Sequence, residues 1–494
     1  MMLETSNLLA KLDYTLLQGK IPAEVSGICQ DNRKIEPGNL FICIKGDRFD
    51  SHTVIEDIVA KGAGLLVVER PPELPAVAPD GGTVPVILVP STRIAMARIY
   101  AARYGYPAER IKLIGITGTK GKTTTTHMVH AVLEAGGFKV GAIGTTGVDY
   151  ADQHISTQNT TPDSYDLQRY LRDMVDAGCE IAVIEVASQA ELLHRVEAIE
   201  FDYSIFTNIA PGDHIGPAEH ADFADYLRCK SRLFGHSRVA FVNRDDPHWR
   251  EIVAGHNCRV YTYGTDPDAD FRVPTIEDTP VHGLPGLRFT VGGHEYRLNR
   301  PGHFNALNAT AAVCIGHAFG VAPDIMATAL ENLYIPGRLE LIFSSPILRV
   351  CVDNAHNGYS LLHFFEAVRA YEPQRTVVVF GTGGNRQRDR RFEMGRIAGN
   401  SADLSIVTSQ HSRYESFATI LADIEVGLAE TTGEYLAIED RREAIEYVIR
   451  NARPGDFIGI TGLGRTKYLS VNGQNVPFDD VATALEFLEK YGWK

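Results

Sequence analysis

Short apolar runs alternate with amphipathic stretches along most of the chain, and this alternation predicts a repeating strand-and-helix order. Runs 39–44, 64–68 and 84–89 read as strands around a helical stretch at 54–62, which predicts a small α/β domain over 1–107. From 108 to 336 the apolar runs 111–117, 139–144, 181–186, 202–207, 239–243 and 259–263 alternate with helical patterns, as in a parallel sheet covered on both faces. Within this stretch, 287–291 and 296–298 flank Gly292-Gly293 and predict a hairpin. Pro336-Gly337 then breaks the pattern. Beyond it, strands at 348–352, 376–380, 403–407 and 457–461 and helices near 359–370, 390–400, 416–430 and 440–451 predict a smaller doubly wound domain over 337–494. The expected fold class is therefore α/β in three domains.

One passage from strand to helix carries chemistry in consecutive residues. The run 111–117 leads into Gly118-Thr119-Lys120-Gly121-Lys122-Thr123-Thr124, followed by a helical pattern. Glycines let backbone N–H groups converge on phosphate oxygens, and the helix N-terminus adds partial positive charge. Lys122 and Thr123 are then placed to reach a terminal phosphate and its Mg²⁺. An ATP or GTP site is expected, the plain alternative being a tight connection. The long form of such loops would need glycine at Ile116, whereas here Gly118 stands three positions before Gly121.

Composition narrows the partners. With 494 residues, about three domains of roughly 150 residues are expected. A net charge of −14 argues against nucleic acid, and no apolar run approaches the ~18 residues of a membrane span. Seven scattered cysteines in no metal-binding spacing, and an N-terminus without signal-peptide character, point to reduced thiols in a cytoplasmic protein. Strand ends supply further candidates. Glu185 closes an apolar run, where a carboxylate is a Mg²⁺ ligand, a helix cap or an ion-pair partner. Lys230 lies on an amphipathic stretch and by itself reads as a solvated charge, as Asp31-Asn32-Arg33 reads as a solvated turn.

The short phosphate loop resembles that of the Mur ligase family and its folylpolyglutamate synthetase relatives, and further motifs extend the resemblance over nearly the whole chain. Asp31-Asn32-Arg33 before Pro37-Gly38-Asn39-Leu40-Phe41 is similar to the family's uridine-nucleotide turn, with Asn32 in place of serine. Asn159-Thr160-Thr161-Pro162 and Glu185-Val186-Ala187-Ser188-Gln189 with Arg195 resemble its muramoyl-substrate elements, with Ala187 and Gln189 as departures. Asn208 to His214 resembles a turn whose histidine is a metal ligand, here with one extra residue, and Lys230 matches a lysine that the family carbamylates. Pro301-Gly302-His303-Phe304-Asn305, Pro336-Gly337-Arg338 and Asp353-Asn354-Ala355-His356 match its ATP motifs. Gly381 to Arg391 resembles a loop that takes the incoming amino acid. Gln410-His411-Ser412-Arg413 replaces Asp-Asn-Pro-Arg of the enzymes that add diaminopimelate, and Gly462-Leu463-Gly464-Arg465-Thr466 departs from Gly-Lys-Gly-His-Glu.

The resemblance implies an ATP-dependent ligase that adds the third amino acid to UDP-N-acetylmuramoyl-L-alanyl-D-glutamate through an acyl phosphate. It implies an N-terminal UDP-substrate domain, a central ATP-binding domain and a C-terminal amino-acid domain that closes over the nucleotide. Lys122, Glu185, His214 and Lys230 are the implied catalytic set, with Thr123, Glu185, His214 and carbamylated Lys230 around Mg²⁺. ATP would be held by Gly118, Thr119, Lys120, Gly121, Lys122, Thr123 and Thr124 together with Asn305, Arg338, Asp353 and His356. Asp31, Asn32, Arg33, Asn159, Thr160, Thr161, Ser188 and Arg195 would hold the UDP-linked acid, and Arg391, Arg413 and Gly464 the amino acid. No nucleic acid or membrane partner is implied, and a monomer is expected. The departures leave open a related ligase acting on another acid or amine, or a precursor-binding protein without activity.

Overall fold

The computed structural model describes residues 2–46, 49–73, 76–77, 81–211, 214–216 and 219–494. The chain divides into two compact units, Met1–Lys122 with Gly137–Tyr261, and Thr123–Gly136 with Thr262–Lys494.

The first unit opens on a five-stranded sheet in the order Thr15–Gln18, Val86–Leu88, Leu65–Val68, Leu40–Ile42, Ile28–Cys29, parallel except at the Thr15–Gln18 edge. Successive side chains of a strand face opposite sides. Accordingly Leu40, Ile42, Leu65 and Val67 pack with Met96 and Ile99 of helix Thr92–Arg103, while Phe41, Leu66 and Val68 pack with Ile58 and Val59 of helix Ile55–Ala60. Asp31-Asn32-Arg33 follows Ile28–Cys29 at the carboxyl end of this sheet, where such folds hold ligands.

The second sheet of this unit runs Val140–Gly144, Ile181–Glu185, Lys112–Thr117, Phe201–Phe206, Ser237–Asn243, parallel from the first strand to the last. The expected strands are all present. The sequence pattern missed an antiparallel extension, Gly147–Tyr150 and Gln153–Ile155, whose largely exposed second strand carries no apolar alternation. Glu185 is paired with Ile116, and Phe206 with Thr117, so three adjacent strand ends surround the start of the phosphate loop. A polar crevice of about 840 Å³, lined in part by Lys112, Glu180, Asp202 and Arg238, lies at the opposite, amino-terminal ends.

In the second unit the helix after the loop packs on His303–Ala318: Val132 lies against Gly316, and Thr125 Oγ1 meets Asn308 Oδ1 at 3.4 Å. The expected hairpin is Leu284–Val291 with His294–Leu298, joined by a third strand, Ile276–Val281. The last sheet is six-stranded in the order Glu340–Ser344, Leu348–Asp353, Asp456–Thr461, Arg375–Phe380, Leu404–Val407, Glu434–Ala437, antiparallel only at its first edge. Helices Gly358–Arg369, Asp389–Ser401 and Phe417–Leu428 cover one face, and Arg441–Arg450 and Asp480–Lys490 the other. All cysteines but Cys258 are buried and all are free, and among the described residues no helix is long and apolar enough to cross a membrane.

Beneath this sheet Arg441 and Asp480 form a fully buried bidentate pair, with both N···O distances 2.8 Å. Removing one partner of such a pair strands a charge, so Asp480→Asn is expected to destabilise this unit by about 3 kcal/mol. The measurement is the midpoint of the first thermal unfolding transition. An apolar pair, Arg441→Met with Asp480→Leu, should recover most of the loss.

Candidate active site

The phosphate loop is fastened from behind by the neighbouring strand end. Asn208 accepts from the Lys120 N–H at 3.0 Å, donates to the Lys120 carbonyl at 3.1 Å, and its own carbonyl accepts from Thr119 N–H at 2.8 Å. Thr207 Oγ1 donates to the same Lys120 carbonyl at 2.6 Å. The loop requires Gly118: its φ is +155°, and a Cβ there would fall 1.9 Å from Thr207 Oγ1. Lys122 Nζ donates to the carbonyls of Gly118 and Thr119 at 2.6 and 3.2 Å, which lays its charge along the loop.

Lys230, which read as a solvated charge, is only 1% exposed. It sits on helix Phe223–Gly235, donates to the Gly118 carbonyl at 2.8 Å and lies 4.7 Å from the centre of the Tyr226 ring. Tyr226 in turn joins Thr119, hydroxyl to hydroxyl, at 2.9 Å. His214 adopts a left-handed φ of +58° and places Nδ1 3.4 Å from Glu219. Gly212 and Asp213, where the extra residue of the turn was expected, lie outside the described residues.

Glu185 is buried and both carboxylate oxygens accept from Thr145, one from its N–H at 2.9 Å and one from its hydroxyl at 3.0 Å. Gly144 permits this approach, since a Cβ there would stand 2.1 Å from Glu185 Oε1. Thr160 Oγ1 joins Thr145 Oγ1 at 3.1 Å, and Thr161 Oγ1 donates to the Glu185 carbonyl at 2.7 Å. Arg195 donates to the Thr161 carbonyl at 2.9 Å and pairs with Asp163 at 2.7 Å, while burial pushes its guanidinium pKa down. Asn159 is exposed, and Ser188 Oγ meets His220 Nε2 at 2.9 Å. In the N-terminal sheet Arg33 holds Asp31 through three hydrogen bonds of 2.8 to 3.0 Å, lowering its carboxyl to about 2.

In the second unit Arg338 donates to Thr123 Oγ1 at 3.0 Å. Asn354, standing where the family has tyrosine, is oriented by its network: its oxygen accepts from Arg338 at 2.9 Å and its NH₂ donates to the Gly462 carbonyl at 3.1 Å. Asp353 accepts the N–H groups of Leu339 and Ala355, each at 2.7 Å. Burial pushes its carboxyl up against the pull of Arg338. His356 Nδ1 meets the Asn354 carbonyl at 2.7 Å. Asn305 donates to the Pro301 carbonyl at 2.8 Å and accepts from Asn308, so its amide is engaged at the helix start.

Arg391 is 1% exposed and its guanidinium is clamped by Asp423 at 3.0 Å and Glu415 at 2.9 Å. From helix Asp389–Ser401 it thus reaches Asp423 of helix Phe417–Leu428 and Glu415 just before that helix, so its guanidinium, expected to meet the amino acid, is engaged by two carboxylates. Arg413, at φ +56°, donates no side-chain hydrogen bond and forms no ion pair among the described residues. Its backbone is pinned instead, N–H to the Ser470 carbonyl at 2.8 Å. Gly464 lies at φ +58°, and a Cβ there would stand 3.0 Å from Asn354 Cβ.

Three family models match in order: Mur ligase family, catalytic domain, over 24–104; Mur ligase middle domain over 116–316; and Mur ligase, glutamate ligase domain, over 337–464. The UDP-N-acetylmuramoyl-L-alanyl-D-glutamate–2,6-diaminopimelate ligases of Caldanaerobacter subterraneus subsp. tengcongensis and Geobacter metallireducens are each 36% identical, covering 96% of both chains. The chain belongs to the Mur ligase family. A solved diaminopimelate-adding ligase shares the fold over 100% of both chains, with a TM-score of 0.65 at 24% identity. So does the MurF ligase of Thermotoga maritima in complex with ADP, over 94% of this chain and 97% of that one, with a TM-score of 0.62 at 19% identity.

This Mur ligase is an ATP-dependent enzyme joining a carboxylic acid to an amine in peptidoglycan synthesis. Several residues that hold the candidate site residues escaped the sequence pattern: Thr145, which orients Glu185; Thr207, which fastens the loop together with Asn208; and Tyr226 and His220. Their only signal was nearness in sequence to a motif.

Proposed function

We propose that this ligase adds 2,6-diaminopimelate to UDP-N-acetylmuramoyl-L-alanyl-D-glutamate. The relatives carry that activity in their names, and the observation that carries the choice of amino acid is Arg413. Its guanidinium has no carboxylate partner among the described residues, while Glu415, two residues on in sequence, is held by Arg391. Such a site favours an amino acid whose far end is a carboxylate over one ending in an ammonium.

The chain serves in three parts, with 1–107 for the uridine end, 108–336 for ATP and 337–494 for the amino acid. A carboxylate is a poor electrophile, so the γ-phosphoryl group must first pass to it, giving an acyl phosphate. Lys122 and the loop N–H groups stabilise charge on that group during transfer. The amine then attacks, and the tetrahedral adduct expels phosphate. When bound, Mg²⁺ supplies further neutralisation of the phosphates. The donors fit a hard cation only if Lys230 changes its chemistry, because an ammonium is a donor alone. Addition of CO₂ to its neutral amine, with loss of a proton, yields a carbamate; Glu185, His214 and that carbamate would hold the ion.

The test is phosphate release with Mg²⁺-ATP and the UDP-dipeptide against diaminopimelate, L-lysine, L-ornithine and neutral amino acids, with products read by mass. Release should depend on diaminopimelate. Arg413→Ala should raise its KM about 30-fold, as loss of a charge-assisted pair would, and leave KM for ATP unchanged. Equal use of L-lysine by the unaltered enzyme would overturn the choice.

A further inference from the structure

Ser188, His220 and Asp225 form one hydrogen-bonded file within the first unit. Asp225 Oδ2 lies 3.0 Å from His220 Nδ1, and His220 Nε2 lies 2.9 Å from Ser188 Oγ. The histidine is 2% exposed and the serine 5%, so water competes little for either contact. The imidazole packs 5.2 Å from the Tyr226 ring, whose hydroxyl holds Thr119 of the phosphate loop. The middle of the file is therefore joined to the phosphate loop through Tyr226.

A carboxylate can only accept, so the ring nitrogen facing Asp225 carries the proton. With one proton on the ring, Nε2 accepts, and among the described residues the hydrogen it takes is that of the Ser188 hydroxyl. We propose that His220 is a positioning residue: by taking the Ser188 hydroxyl proton into a hydrogen bond, it leaves Ser188 able to meet the acid substrate only as an acceptor, toward a peptide N–H. This rests on the reading that Ser188 touches that substrate.

His220, Asp225 and Cys229 also place possible ligand atoms within 4.8 Å of one another. A cation site is the poorer account. Nε2 is already engaged with Ser188, Asp225 also binds Arg228 at 2.5 Å, and burial followed by Asp225 pushes the Cys229 thiol up, away from the thiolate a metal needs.

Asp225→Asn is the informative change. Arg228 retains the carbonyl oxygen, so the NH₂ faces Nδ1, the tautomer reverses, and Nε2–H now donates to Ser188. The serine hydroxyl is then turned outward as a donor. Asp225→Asn and Ser188→Ala should each raise KM for the UDP-dipeptide about tenfold, with KM for ATP unchanged. The double variant should be no worse than Ser188→Ala alone. His220→Gln, which keeps a polar amide near the Nε2 position, should retain more activity than His220→Phe. A dipeptide analogue with ester in place of the L-alanyl–D-glutamyl amide should bind about tenfold more weakly, with no further loss in Asp225→Asn. If Ser188→Ala leaves KM unchanged, the substrate reading of Ser188 falls. If Ser188→Ala raises KM while Asp225→Asn does not, or the two effects add, the positioning role is overturned and the substrate contact stands.

Discussion

Lys122→Ala lowers ligation by about 10³-fold, the loss expected when one preorganised charge is removed from a developing oxyanion. The side chain lies along the carbonyls of Gly118 and Thr119, on the loop that Asn208 and Thr207 hold rigid. The Asp31–Arg33 turn and the Thr160, Thr161 and Arg195 network are held by their own hydrogen bonds, so binding of the UDP-dipeptide should be unchanged by calorimetry. Turnover within a few fold of the parent enzyme would remove Lys122 from the reaction.

Lys230→Ala should cost a comparable factor, about 10³, for a different reason. A buried lysine 2.8 Å from the Gly118 carbonyl serves the site either as an ammonium that ties the loop or as a carbamate that holds the cation. The two roles predict opposite rescues. A carbamate role means that acetate or formate partly restores Lys230→Ala, and that depletion of CO₂ reversibly silences the unaltered enzyme. An ammonium role means that Lys230→Arg stays active and small acids do nothing. Lys230→Met, close in volume, separates either effect from lost packing through an unchanged thermal midpoint.

The motif residues and the strands that carry them were legible because both are local. An apolar run of fixed period, a Gly-Lys-Thr at a helix start and a Pro-Gly break each depend on neighbours in sequence. Glu185 was legible as a strand-end carboxylate for the same reason. What holds it was not: Gly144 ends an adjacent strand and Thr145 follows it, and their contact exists because Val140–Gly144 pairs with Ile181–Glu185. Lys230 shows the limit from the other side, since its amphipathic helix gave equal room to a solvated charge, and only packing against the loop buried it.

By itself the sequence determined an α/β chain with a phosphate loop, a set of strand-end polar residues and the family to which they belong. The tertiary structure decided which of those residues are available. Two arginines of similar sequence standing part ways there: Arg391 is paired with Glu415 and Asp423, two dozen residues and more away, while Arg413 has no carboxylate partner among the described residues. The Ser188 to Asp225 file likewise joins Ser188 to His220, 32 residues apart. Sheet order brings such groups together, and side-chain hydrogen bonds and ion pairs, acting over about 3 Å, then assign each its role.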